Sequence, residues 1–89
     1  MSKKKLLSVI TNFLKEKKCD EQNKIVHDIY LYYRGRCRGK IENVWIDKEG
    51  TAKCHIWWWG CGTDEPLETV TEQSLKMVKD YLFKDNFVK

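Results

Sequence analysis

Aromatic and basic side chains alternate along the segment that follows Ile29, and these residue types at this spacing could bind nucleic acid. The residues concerned are Tyr30, Tyr32, Arg34, Arg36, Arg38 and Lys40. In an extended strand, alternate side chains project to the same side at intervals of about 7 Å. Cations at that interval can contact successive phosphates, and neighbouring aromatic rings can stack on bases. The segment therefore predicts a surface that binds single-stranded or structured nucleic acid.

The same segment has a second interpretation, because the chain must reverse direction within residues 34–40 if the flanking segments form an antiparallel pair. A reversal would spread the arginines instead of aligning them. Gly35 and Gly39 are suited to bends in the backbone. A solvated, arginine-rich turn is the alternative to a binding stripe, and the sequence leaves both open.

Tryptophans form the second group with chemical potential. Trp57, Trp58 and Trp59 are consecutive, and Trp45 lies on the preceding predicted strand. With Trp58 directed into the core, the other three would share the opposite face of a sheet. An exposed patch of three indoles is typical of a protein-interaction surface. The sequence leaves open the alternative that all four tryptophans are packed under a helix or in a dimer. The alternative function is therefore a protein-interaction module, either a homodimer or an adaptor, that uses Trp45, Trp57 and Trp59.

Metal binding and catalysis have weak support in the sequence. The four cysteines, Cys19, Cys37, Cys54 and Cys61, are separated by 17, 16 and 6 residues, so the closely paired cysteines of a zinc site are absent. Cys54, His55 and Cys61 could still meet at one end of a strand. Phosphate-binding loops, nucleophile elbows and metalloprotease helices are also absent. We expect no enzyme, no cofactor and reduced thiols.

Charge is distributed unevenly along the chain. The net charge is +4, but residues 1–40 contain 11 Lys and Arg against 4 Asp and Glu, which gives +7. Residues 41–89 contain 6 against 9, which gives −3. A basic region of this size attracts polyanions or acidic protein surfaces. The acidic residues from Asp64 to Glu72 could instead fold over the basic region and neutralise it.

The elements that must position these residues follow from periodicity. Apolar residues at three- and four-residue spacing predict amphipathic helices over residues 2–17 and 72–83. Thr71 can cap the second helix, and Thr69 with Glu72 forms a competing capping box, so its start is open by two residues. Residues 25–34 fit a strand better than a helix, because aromatic and β-branched residues form an almost unbroken block. The acidic pair Asp64 and Glu65 is predicted to lie in a loop.

The sequence Asp47-Lys48-Glu49-Gly50 predicts a β-hairpin with a three-residue loop. If Asp47 pairs with Thr51, the register continues as Ile46–Ala52, Val44–Cys54 and Glu42–Ile56. One face then receives Val44, Ile46, Ala52, Cys54, Ile56 and Trp58, and is the predicted core. The other face receives Ile41, Asn43, Trp45, Lys53, His55, Trp57 and Trp59.

These elements predict one α+β domain over residues 1–89. It would be a small three- to four-stranded antiparallel meander with the N-terminal and C-terminal helices packed on one face. A fourth strand, if formed, is expected near Glu68–Val70. No secretory signal or membrane-spanning run is recognised, so a cytoplasmic location without membrane association is expected. Nucleic acid, a protein partner or a second copy are the candidate partners.

Overall fold

The computed structural model describes residues 2–58 and 60–84, apart from the side chains of Val26, His27, Tyr33 and Arg38. It has an α+β fold, as predicted. In chain order the elements are α1 (Lys3–Glu16), β1 (Ile25–Tyr33), β2 (Arg36–Ile46), β3 (Ala52–Trp58), β4 (Cys61–Pro66), a 3₁₀ turn (Leu67–Thr69) and α2 (Glu72–Leu82). Within the described part of the chain, the strands form one antiparallel sheet in the order β1-β2-β3-β4.

Both helices lie within one or two residues of their predicted bounds, because their ends are fixed by local hydrogen bonds. The hydroxyl of Ser2 accepts from the backbone N–H of Lys5 at the start of α1. The hydroxyl of Thr71 accepts from the N–H of Ser74 at the start of α2. A side chain of this type at the N-cap satisfies a backbone donor that the helix leaves unpaired.

The turn between β2 and β3 has the predicted structure. The N–H of Asp47 donates to the carbonyl of Thr51 at 2.9 Å. Gly50 has a φ of 83°, the left-handed conformation that this loop requires and that glycine adopts without strain. The pairs Ile46–Ala52 and Val44–Cys54 form as predicted.

Further along β2 the predicted register is wrong, because a bulge inserts an extra residue. Asn43 pairs with His55, but the next pair is Ile41 with Ile56 instead of Glu42 with Ile56. Glu42 is therefore the inserted residue, and Ile41 moves to the core face, where it is fully buried. A bulge has this effect because two residues on one strand oppose one on its partner.

The fourth strand is not where the sequence predicted it. β4 is Cys61–Pro66, so Asp64 and Glu65 lie on a strand and not in a loop. The segment expected to form the strand, Glu68–Val70, follows β4 and largely coincides with the 3₁₀ turn. An edge strand with two carboxylates and a terminal proline is protected against pairing with other chains.

One hydrophobic core joins both helices to a single face of the sheet. The helices contribute Leu6, Ile10, Phe13, Leu14, Leu75, Val78 and Leu82. The strands contribute Ile25, Ile29, Leu31, Ile41, Val44, Ile46, Ala52, Cys54 and Ile56. No helix within the described ranges combines the length and the apolar composition needed to cross a membrane.

Candidate nucleic-acid interface

The face of the sheet opposite the core, here called the outer face, contains a row of directly opposed residues. Tyr30 on β1 pairs with Lys40 on β2, which pairs with Trp57 on β3, which pairs with Gly62 on β4. Ile29 and Leu31, the neighbours of Tyr30, are both buried in the core. Since side chains alternate along a strand, Tyr30 and its cross-strand partners lie on the outer face.

An open groove of about 460 Å³ lies along this row. Its lining residues are Tyr30, Cys37, Gly39, Lys40, Glu42, Trp57 and Gly60. Pockets that hold small ligands occupy roughly 300–1,000 Å³ and combine aromatic walls with a few polar groups. The groove has this composition, with Tyr30 and Trp57 as aromatic groups and Lys40 and Glu42 as polar ones.

The indole of Trp57 is held by its neighbours. Its Nε1 donates a hydrogen bond to Oε2 of Glu42. Its ring meets the imidazole of His55 edge-on, with 5.4 Å between the ring centroids and an interplanar angle of 79°. Nδ1 of His55 in turn lies 2.7 Å from Oδ1 of Asp64 on β4. These contacts fix the orientation of Trp57 on the outer face, where it is half-buried.

Lys40 is paired within the protein. Its Nζ lies 3.4 Å from Oδ2 of Asp28, and both side chains are partly exposed. An exposed ion pair of this kind contributes little to stability, but Asp28 partly neutralises the cation that was predicted to contact phosphate. The ammonium group of Lys40 is directed to Asp28 and not to Glu42.

Two exposed tyrosines lie beside the groove. Tyr30 retains 48 % and Tyr32 53 % of its accessible surface. They are two positions apart on β1, and Tyr32 pairs with Cys37 on β2. Tyr32 is thus on the outer face, one alternate position beyond Tyr30.

Residues 32–38 form a hairpin, here called the finger, that projects beyond the rest of the sheet. The last pair that β2 shares with β3 is Gly39 with Trp58. Beyond it, among the described residues, Tyr32 pairs only with Cys37 and Tyr33 only with Arg36. The projection corresponds to two or three residues, or roughly 7–10 Å at the usual rise of a strand.

A tight turn closes the finger. Arg34 and Gly35 have φ values of 53° and 75°, and positive φ at both central residues is the mark of a type I′ hairpin turn. Arg34 and Arg36 are exposed. The finger therefore presents arginines at the end of the molecule that also carries the β3–β4 connection.

The predicted single stripe of six residues does not form. The turn at Arg34–Gly35 and an irregularity in pairing between Leu31 and Tyr32 interrupt the alternation. Tyr30, Tyr32 and Lys40 remain together on the outer face. Arg36, the partner of Tyr33, has the opposite orientation to Cys37, and the side chain of Arg38 lies outside the described residues.

No protein-family model, curated protein or solved structure matches this chain. The residues and geometry of the chain itself are therefore the basis for assigning a function.

The predicted tryptophan surface is only partly present. Trp45 was expected to be exposed, but it retains only 4 % of its accessible surface. Nζ of Lys24 lies 4.0 Å from the centroid of its ring, a cation–π contact that covers the indole. Trp57 lies on the outer face as predicted, and Trp59 lies outside the described residues. Trp58, predicted to be in the core, is 37 % exposed beside Gly39.

The residues considered for a metal site are not brought together. Cys54 is buried in the core, His55 points to the outer face, and Cys61 is exposed at the start of β4. Among the described residues, no cluster of three or more His, Cys, Asp or Glu side chains could hold a metal ion. Burial raises the pKa of the Cys54 thiol to about 12, with further contributions from Glu65 and Asp64. Burial also raises the pKa of Cys19.

Glu42 and Asp64 were not predicted as parts of the site. Glu42 reaches Trp57 only because the bulge places its side chain on the outer face. The pairing of His55 with Asp64 depends on β4, which the sequence did not predict. A carboxylate three residues before Trp45 has no distinguishing pattern, whereas the low content of β-branched residues in 61–66 obscured the strand.

Proposed function

We propose that this domain binds single-stranded nucleic acid across the outer face of its sheet, with the arginine-rich finger contacting the phosphate backbone. The observation that carries the proposal is the position of Tyr30 and Tyr32. These two exposed rings lie on the same face of β1, directly beside a basic projection. Exposed rings on a sheet are suited to stacking on bases, which contributes about 1–3 kcal/mol for each base.

The local charge supports the same function. Residues 29–41 contain three arginines and one lysine but no Asp or Glu. Arg34 and Arg36 are exposed at the tip of the finger. Arg36 is directed away from the outer face, so in this proposal the bound strand passes around the tip of the finger to reach it. The pairing of Lys40 with Asp28 reduces the charge that Lys40 can offer to a phosphate. The guanidinium group also matches phosphate geometry better than an ammonium does.

A protein-interaction module has less support. That function required a continuous surface of three tryptophans, and Trp45 is buried beneath Lys24. The indole N–H of Trp57 already donates to Glu42. The exposed aromatic residues that remain beside the groove are tyrosines with basic neighbours, a combination that favours a polyanion.

The proposal is tested by measuring the affinity for labelled, mixed-sequence RNA and DNA single strands of about 12 nucleotides at several salt concentrations. Phosphate-driven binding to single strands weakens with salt, with a slope of roughly −0.7 in log K per log salt for each phosphate neutralised. Fluorescence anisotropy gives the affinity, and tryptophan emission reports stacking near Trp57. Absence of binding at low salt would contradict the proposal.

Two charge-reversal variants distinguish binding at a specific surface from a general effect of net charge. Arg36→Glu alters the finger, whereas Lys48→Glu makes the same change in an exposed side chain at the opposite end of the sheet. We expect Arg36→Glu to weaken binding about tenfold at low salt and to reduce the salt slope by roughly 0.7. Lys48→Glu should have a much smaller effect. Equal effects of the two variants would contradict a role for the finger.

The stacking role of Tyr32 is tested by a second pair of variants. Tyr32→Ala removes the ring and should weaken binding by about 1–3 kcal/mol. Tyr32→Phe keeps the ring and should retain most of the affinity. If both variants bind as tightly as the wild type, Tyr32 does not stack on a base.

A further inference from the structure

The groove beside Tyr30 and Trp57 can hold one planar base. The two residues lie on β1 and β3, on either side of Lys40, and both line the groove of about 460 Å³. That volume is within the range of pockets that hold small ligands. One base can therefore enter the groove in contact with the aromatic side chains that line it.

Glu42 supplies the polar group of the groove that is best placed to select a base. Its Oε2 accepts from Nε1 of Trp57, which fixes the carboxylate beside the ring. Among the described residues, this is its one hydrogen bond, and Lys40 is directed to Asp28 instead. An ionised carboxylate accepts hydrogen bonds and donates none. The remaining oxygen, Oε1, can therefore accept a hydrogen bond from a group that enters the groove.

We propose that this groove binds one base that carries an exocyclic amino group, and that Oε1 of Glu42 accepts a hydrogen bond from that group. This inference rests on the proposed binding of single-stranded nucleic acid. Cytosine, adenine and guanine have an exocyclic amino donor, whereas uracil and thymine have carbonyl oxygens at the exocyclic positions and only the ring N3–H between them as a donor. A carbonyl facing the carboxylate would place two acceptors together without a proton. Glu42 is thus the residue that determines base preference.

Cytosine and uracil provide the sharpest comparison, because their rings have the same size and differ at the amino group. The probes are oligocytidine and oligouridine of eight nucleotides at pH 7.5 and one salt concentration. We expect the wild type to prefer oligocytidine by about tenfold, within the discrimination measured for well-formed contacts to base edges. This comparison needs no variant.

Glu42→Gln tests whether the preference arises from the carboxylate. The amide oxygen can still accept from Trp57, and the amide NH₂ then faces the base as a donor. The cytosine preference should disappear or reverse toward uracil. Glu49→Gln makes the same charge change in the exposed β2–β3 turn and should leave the preference at its wild-type value. The ratio of the two affinities is compared, because removing one negative charge raises affinity for both probes.

The possible results distinguish this inference from the proposed function. If neither oligonucleotide binds at low salt, both the function and the base preference are wrong. If both bind with equal affinity, the function stands and the selection by Glu42 is wrong. A cytosine preference that Glu42→Gln leaves unchanged also overturns the inference. A preference lost in Glu42→Gln and retained in Glu49→Gln supports it.

Discussion

Trp57 and Gly62 face each other across β3 and β4, and the indole of Trp57 occupies the space that a side chain at residue 62 would need. A β-carbon at Gly62 would lie 2.9 Å from Cε2 of Trp57 and 2.7 Å from Nε2 of His55. Carbon atoms in contact are normally 3.5–4.0 Å apart. The absence of a side chain at Gly62 therefore leaves the space that both rings occupy.

Replacing Gly62 with alanine should displace both rings. We expect Gly62→Ala to lower the free energy of unfolding by about 1–3 kcal/mol, the usual cost of overpacking. The displaced Trp57 should also lose its hydrogen bond to Glu42. Urea unfolding measures the first effect, and near-ultraviolet circular dichroism of the tryptophans measures the second.

The neighbouring residue provides the control for Gly62→Ala. Thr63 is exposed on the same strand, so Thr63→Ala should change stability by no more than about 0.5 kcal/mol. A Gly62→Ala variant with wild-type stability and an unchanged near-ultraviolet spectrum would show that the rings do not depend on Gly62.

The β2–β3 turn depends on the carboxylate of Asp47. Its Oδ1 accepts from the backbone N–H groups of Glu49 and Thr51, each at 2.9 Å. Asp47→Ala removes both bonds and should lower the free energy of unfolding by about 1–2 kcal/mol. Asp47→Asn retains an acceptor oxygen and should lose less than half as much. If urea unfolding shows that Asp47→Ala and Asp47→Asn lose equal stability, the acceptor oxygen of Asp47 does not stabilise the turn.

The same turn explains which parts of the fold were predictable from the sequence. Its conformation is determined by Asp47 and Gly50, the first and last of four contiguous residues. The helix ends at Ser2 and Thr71 likewise depend on bonds that span three residues. Where the interactions are local, the sequence contains the signal, and these elements were predicted within one or two residues.

The rest depends on contacts between distant segments. The bulge at Glu42 reverses the expected orientation of Ile41, and a one-residue insertion has no signature in the alternation itself. Lys24, which directly precedes β1, covers the ring of Trp45 on β2. The turn at Arg34–Gly35 lacks the Asn-Gly or Asp-Gly signal of its type. For the site, Tyr30, Tyr32 and Trp57 could be identified from the sequence, whereas Glu42 could not.

The four thiols should fall into two classes of reactivity. Cys37 and Cys61 are exposed, whereas Cys19 and Cys54 are buried. Burial raises the pKa of both buried thiols, which lowers the fraction present as the reactive thiolate. At pH 8 a disulfide reagent such as DTNB should modify two thiols rapidly in the native protein and all four in 6 M guanidinium chloride.

Serine variants identify which thiols react rapidly. The double variant Cys37→Ser and Cys61→Ser should lose the rapid reaction while its buried thiols still react after unfolding. Rapid modification of all four thiols in the native protein would be inconsistent with the burial of Cys54 and Cys19.

The pKa of Cys54 also predicts how stability changes in alkaline solution. The thiol has a pKa of about 12 in the folded protein, compared with an ordinary value of 9.0. Below pH 9 it is protonated in both states. Between pH 9 and 12 the unfolded chain loses the proton while the folded protein retains it, so ionisation favours unfolding. At pH 10 the expected loss is about 1.4 kcal/mol, from 1.36 kcal/mol for each pH unit.

Lysines and tyrosines titrate over the same range, so the measured quantity is the difference in stability between the wild type and Cys54→Ala. Urea unfolding at pH 8 and at pH 10 should show that the wild type loses about 1 kcal/mol more than the variant. Ile56→Val changes the same core without removing a titratable group. Between pH 8 and pH 10 it should lose as much stability as the wild type does. A difference between the wild type and Cys54→Ala that stays constant from pH 8 to 10 would mean that the Cys54 thiol ionises as readily in the folded protein as in the unfolded chain.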